Sequence, residues 1–224
     1  MPRISKKGEL EMTKIMIIGA NGGIARKLTQ RLLAETDDEL VLFLRRAERL
    51  AQYREQPRVT LIDGNVLDTD ELATAMAPVD IVYSNVGGTD LAAQTKSILA
   101  AMARTQRQRL IFISALGAHH EVPGKFGAWN EQAIADFLPG FREAARLLSA
   151  SELVYTEIRP AWLTDVAEID YELTTGAEPF KGTEVSRASV ADLVFKLMAH
   201  PENYQRVSLG VDKPGTAGDR PSWL

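Results

Sequence analysis

Apolar runs of four to six residues recur along the chain, separated by stretches whose apolar positions return every three or four residues. The runs at 14–18 (KIMII), 39–44 (ELVLFL), 58–62 (RVTLI), 79–84 (VDIVYS), 109–113 (RLIFI) and 153–158 (LVYTEI) read as strands. Helical periodicity fills the intervals near 23–34, 47–54, 69–76, 89–105 and 131–149. Such alternation predicts right-handed crossovers, and therefore a doubly wound parallel sheet with helices on both faces. SRASVADLVFKLMAH reads as a late helix, with Ser186 or Ser189 as its N-cap and Pro201 ending it.

Between the last strand and that helix, YELTTGAEPFKGTEV carries the Gly, Pro and Thr of irregular strands and turns. It is expected beside a ligand cleft, as a small substrate-side elaboration of one domain spanning 12–224. The stretch GVDKPGTAGDRPSWL is turn-rich and expected on the surface. MPRISKKGELE has basic residues but no apolar core behind them, so it does not read as a secretory signal. Residues 1–11 are expected to be a disordered leader.

Composition narrows the function classes. The chain has 224 residues and a net charge of −4, with basic residues dispersed, so it carries no electrostatic footprint for nucleic acid or an anionic membrane. No apolar stretch reaches membrane-spanning length. Cysteine is absent, which removes disulfides, thiolate catalysis and cysteine metal sites and accords with a cytoplasmic location. A small-molecule partner is expected, in a monomer or homodimer.

Candidate chemistry begins at IIGANGGIAR, where Gly19, Ala20, Asn21, Gly22, Gly23, Ile24 and Ala25 follow the first strand and open the first helix. Glycine there suits either a tight turn or a phosphate drawn close to free N–H groups at a helix N-terminus. About 20 residues further on, where an acid would hold the ribose diol of NAD, the chain has Arg45 and Arg46. A guanidinium pairs with a 2′-phosphate, which favours NADP over NAD. Asp63, followed by Gly64, Asn65 and Val66, is placed to shape an adenine pocket, and Asn85, Val86, Gly87 and Gly88 to let cofactor backbone pass. All fall at successive strand C-termini, where an open α/β sheet binds its ligand.

The motifs GANGGIAR, LIDGNVLD, LIFISALGA and SELVYTEIRPAWLTD together resemble the atypical short-chain dehydrogenase/reductases of the NAD(P)-binding, NmrA-like group, from about Met12 to the end. That group includes flavin and biliverdin reductases. The resemblance implies a Rossmann-type fold and puts Arg159, Pro160, Ala161, Trp162 and Leu163 near a nicotinamide. It also matches Ser114 to the family's catalytic hydroxyl. The family's tyrosine, four residues before a lysine that lowers its pKa, is missing: Tyr53, Tyr83, Tyr155, Tyr171 and Tyr204 all lack that lysine, and the helix where the pair would stand offers Phe137 and Phe141.

Substitute acids are sought in ALGAHHEVPGKFGAWNEQ, which offers His119, His120, Glu121, Lys125, Asn130 and Glu131. Adjacent histidines splay apart, so no metal site is expected. KFGAW offers aromatic surface for a flat substrate or for core packing. Two functions remain: an NADPH-dependent reductase of a small planar acceptor of flavin or quinone type, or a non-catalytic NADP(H) sensor or scaffold. An epimerase or dehydratase role normally relies on the missing tyrosine and lysine.

Overall fold

A computed structural model describes residues 12–176 and 178–224; the expected leader lies outside them. Eight strands form one sheet: β1 (Lys14–Ile18), β2 (Glu39–Leu44), β3 (Val59–Asp63), β4 (Ile81–Ser84), β5 (Arg109–Ile113), β6 (Val154–Pro160), β8 (Glu172–Thr175) and β10 (Val207–Asp212). Their order is β3-β2-β1-β4-β5-β6-β10-β8, parallel throughout except for β8, which runs antiparallel to β10. Strands β7 (Trp162–Thr164) and β9 (Glu184–Ser186) form a separate two-stranded sheet.

Alternate residues of the central strands feed two cores. Ile15 and Ile17 of β1 join Leu28 and Leu32 of α1 (Gly23–Glu35) and Leu193 and Leu197 of α6 (Arg187–Ala199) on one face. Met16 and Ile18 join Leu72 of α2 (Thr69–Met76), Ile98 and Met102 of α3 (Leu91–Thr105) and Leu148 of α5 (Leu138–Ala150) on the other. Each such side chain contributes about 1.5–3 kcal/mol by leaving water, which makes this two-faced alternation the main restraint on register. The fold is the doubly wound α/β sheet expected from the alternation.

Four expectations need correction. The helix expected at 131–149 is two helices, α4 (Gly124–Ala133) and α5, broken at Ile134 and restarted with Pro139 in the first turn of α5. Within α4 a Cβ on Gly127 would stand 2.1 Å from the Val122 carbonyl oxygen, so close packing requires the glycine. The stretch from Gly210 is not all surface: Gly210, Val211 and Asp212 close β10 inside the sheet. Residues 171–185 divide, with β8 at the far edge of the main sheet and only β9 beside Trp162. The helix expected at 47–54 is a 3-10 helix over Ala47–Tyr53.

Candidate functional site

The turn from β1 into α1 lies directly against the chain leaving β4. Gly19 has φ of +75°, and a Cβ there would stand 2.7 Å from the Asn85 carbonyl oxygen. A Cβ on Gly22 would stand 1.9 Å from Asn85 Nδ2. Asn85 is fixed, because the Tyr83 hydroxyl donates to its Oδ1 at 2.9 Å and its own N–H donates to Ile18 at 2.9 Å. Both glycines are thus demanded by the close approach of two strand ends, at the point where the strand order reverses. Helix α1 starts there with no side-chain cap and no acidic residue in its first turn, leaving its N–H groups for an anion. Ala20 and Ala25 are buried in the core and act through packing.

A cleft of about 340 Å³ runs from this turn over the ends of β2 and β3, lined by Gly19, Asn21, Gly22, Arg45, Arg46, Asn65 and Val66 and reaching Asn85, Val86 and Gly87. Gly64 also lines it, and a Cβ there would stand 2.4 Å from the Phe43 ring. Asp63 does not line it. Its carboxylate instead accepts from the N–H groups of Arg46 at 3.0 Å and Ala47 at 3.2 Å, holding Arg46 at φ +59°. In this position the carboxylate shapes the arginine turn. Arg49 also lines the cleft and was missed in the sequence. With the Asn21 amide oxygen turned toward it, that oxygen accepts from Arg49 Nε at 3.1 Å. Three guanidiniums and an uncapped helix N-terminus are a donor set for a polyanion, and they fit a dinucleotide with a 2′-phosphate.

A second pocket, about 550 Å³, opens beside Gly23, Ile24 and Asn85 at the ends of β5 and β6. Ser114, Pro160, Ala161, Trp162 and Leu163 line it. Phe137 and Phe141 supply an aromatic wall, and Arg187 and Trp223 come from segments that were not expected there. Trp223 continues an aromatic row: Phe126 and Trp129 are 6.0 Å apart, Trp129 and Trp162 4.8 Å, and Trp162 and Trp223 6.3 Å. Asn130 is buried and anchors the row, its Oδ1 accepting from Trp162 Nε1 at 3.0 Å. KFGAW therefore packs behind Trp162 and does not face the pocket.

Neither histidine lines this pocket, which corrects their expected role as proton donors there. His119 Nε2 lies 2.7 Å from Glu157 Oε2, behind Ser114 on the α5 side of the sheet. His120 is exposed at φ +59°, 3.9 Å from Glu131. Glu157 is 1% exposed and also accepts from Ser208 Oγ at 2.6 Å. Burial pushes its pKa up, but the bonds from His119 and Ser208 outweigh that and hold it below the usual carboxylate range. The same bond raises His119 against its own burial. Ser114 Oγ and Glu157 Oε1 are both buried without a hydrogen-bond partner, so the pocket's hydroxyl is left free to meet a ligand. Arg159 is fully buried, paired with Glu121 and donating to Ser208 Oγ at 2.8 Å; it holds this cluster and does not reach the pocket.

No tyrosine lines either cavity among the described residues. Tyr171 does meet a lysine, Lys196 at 3.1 Å, but it donates to Asp192 at 2.8 Å on the flank of α6, away from the pocket. No described helix is long and apolar enough to cross a membrane.

A doubly wound sheet with a polyanion cleft at its switch point defines a dinucleotide-binding protein. The chain belongs to the NAD(P)H-binding family, whose model matches residues 19–201. Among solved structures it is similar to a short-chain dehydrogenase/reductase from Veillonella parvula DSM 2008 in complex with NADP, with 31% identity, a TM-score of 0.89 and coverage of 95% of this chain and 100% of that one. A Rossmann-fold NAD(P)-binding family protein from Shigella flexneri is 39% identical, with a TM-score of 0.80 and coverage of 96% and 100%. An uncharacterized sugar epimerase, YhfK of Bacillus subtilis (strain 168), is 28% identical over 81% of this chain and 86% of its own length. The resemblance read from the four motifs accords with these relatives.

Proposed function

We propose that the protein is an NADPH-dependent reductase that passes hydride to a small planar acceptor of flavin or quinone type. The observation that carries this reading is the second pocket, which is walled by Phe137, Phe141, Trp162 and Trp223 and joins the dinucleotide cleft through Asn85, Val86 and Gly87. When bound, NADPH supplies the hydride. Arg45, Arg46 and Arg49 hold the 2′-phosphate, and the N–H groups of α1 hold the pyrophosphate. The similar Veillonella protein was crystallised with NADP, which supports the same choice of cofactor.

Aromatic walls exclude water and set a flat ring against the cofactor side of the pocket. Ser114 orients a carbonyl or ring nitrogen of the acceptor through its hydroxyl. Its neighbour Glu157 is held ionised, and that negative charge disfavours an alkoxide forming beside Ser114. An isoalloxazine or quinone suits that arrangement, because its reduced anion is far less basic than an alkoxide. Epimerisation, the activity in the name of the Bacillus relative, would need a base in this pocket, and no tyrosine or lysine lines it among the described residues.

The test is NADPH oxidation by purified protein with riboflavin phosphate, riboflavin and naphthoquinones, against simple aldehydes and ketones. Turnover confined to the flavins or quinones is expected. Ser114→Ala should slow it by the loss of one orienting bond, about 1 kcal/mol. Fast ketone reduction would overturn the reading, and tight NADP(H) binding with no turnover of any acceptor would make the protein a sensor.

A further inference from the structure

Arg187 is the one charged side chain lining the acceptor pocket among the described residues. The other lining groups are apolar or backbone, apart from Ser114 and an Asn85 already bonded to Tyr83. The position of Arg187 is built in. Its α6 is capped by Ser186 Oγ, which accepts from Ser189 N–H at 2.9 Å and donates to the Glu168 carbonyl at 2.6 Å. Its stem lies across the first residue of α1, where a Cβ on Gly23 would stand 2.7 Å from Arg187 Cδ and 3.0 Å from Nε. A side chain on Gly23 would therefore displace that stem.

The guanidinium is only loosely held. Arg187 Nη1 donates to the Leu163 carbonyl at 3.4 Å and pairs at 3.1 Å with Asp165, a carboxylate 79% exposed. Water screens such an exposed partner, and an anionic ligand group can replace it. A guanidinium at the rim of a flat apolar pocket recognises a carboxylate or phosphate in planar, paired geometry.

From this we infer that the acceptor is an aromatic ring system carrying an anionic arm, with its ring against Trp162 and Trp223 and its carboxylate or phosphate on Arg187. The inference rests on the reductase reading and adds to it the charge of the substrate. No covalent step is added.

Riboflavin 5′-phosphate and riboflavin share one ring and differ in the phosphate, so their comparison isolates the arm; a carboxylated and an uncharged naphthoquinone repeat it for a carboxylate. Equilibrium dialysis with NADP⁺ saturating measures affinity without turnover, and KM with NADPH follows where turnover occurs. The phosphate form should bind about tenfold more tightly than riboflavin, the scale of one charge-assisted contact. Arg187→Gln should remove that preference, Arg187→Lys keep part of it, and Asp165→Asn enlarge it by freeing the guanidinium. Asp165 is exposed, so its variant folds irrespective of the outcome at Arg187.

Equal affinity for the charged and uncharged forms would overturn the inference. So would a loss of NADP⁺ affinity in Arg187→Gln, since the arginine would then serve the dinucleotide. A retained anion preference in dialysis with no reduction of any acceptor would uphold this inference and refute the reductase reading alone.

Discussion

Replacing Glu157 by Gln tests the cluster behind Ser114, and the sign of the effect can be worked out in advance. Glu157 is 1% exposed, and its Oε2 is 2.7 Å from His119 Nε2 and 2.6 Å from Ser208 Oγ. Because His119 gains its proton more readily in the folded protein, its contribution to stability is full below the ordinary histidine value of 6.5. It is lost as pH rises through the raised, folded value. Glu157 is held below its ordinary 4.5, so its contribution is full above 4.5 and is lost as pH falls through the lowered value. The pair therefore stabilises most between about pH 4.5 and 6.5.

Glutamine keeps the shape but removes the charge, so His119 loses the bond that raised it and retains the burial and the Arg159 charge that lower it. A hydrogen bond to a charged group is worth about 1.5–3 kcal/mol, and the part-exposed His119 ring places the loss near the lower end. Denaturant unfolding across pH should show a deficit of about 1–2 kcal/mol inside the window, shrinking above it. The chain has three histidines, so His119 can be followed by NMR titration in both proteins. A wild-type His119 titrating at its ordinary value, or one that Glu157→Gln leaves unmoved, would refute the reasoning.

Other sites give separate tests. NADP(H) should bind at least about tenfold tighter than NAD(H), and Arg45→Ala with Arg46→Ala should abolish that preference in cofactor titrations; Arg49→Ala should weaken the same selectivity. Gly22→Ala should lower Tm because its Cβ displaces the Asn85 amide, and Asn85→Ala should restore part of the loss in a double-mutant cycle. Asp212 is buried and its pKa is raised to about 6, so its charge weighs against the fold as pH rises through that value. Asp212→Asn, whose amide oxygen can still accept from Gly182 N–H, should raise stability at pH 8 by on the order of 1 kcal/mol and do little at pH 4.

What the sequence made legible was local. The β1 turn and the Arg45–Arg46 pair stand on short contiguous stretches where one backbone conformation decides what a residue can reach. Arg49, Arg187 and Trp223 were hidden because tertiary packing brings them in: Arg187 crosses Gly23 from a helix more than 160 positions away, and Trp223 is held when Ser222 N–H bonds Glu184 at 2.8 Å. Asp63 and His119 have the right residue types for chemistry, yet nearby backbone amides and a buried carboxylate claim them. One signal for that carboxylate was available. Glu157 and Arg159 alternate with Ile158 in an apolar run, which places two charges on one sheet face that something polar must cover.

On the reductase reading proposed above, the two cavities divide the work by the polarity of their linings. A polyanion is held where N–H groups and guanidiniums lie open to water, because affinity there comes from many screened contacts and exchange must remain possible. Hydride transfer needs a flat apolar surface where a ring can stand close, and the second cavity is lined mostly by apolar groups. Ser114 lines the second cavity, its hydroxyl unpartnered and near the buried carboxylate of Glu157, which His119 keeps ionised. A neutral residue in place of Glu157 would remove a buried negative charge near Ser114, and that charge disfavours an alkoxide forming at the hydroxyl. The same change that lowers stability in the acid window should therefore raise ketone reduction relative to flavin reduction, and steady-state rates of Glu157→Gln with both acceptor classes would show it. An unchanged ratio would mean that the carboxylate holds the fold and has no hand in choosing the substrate.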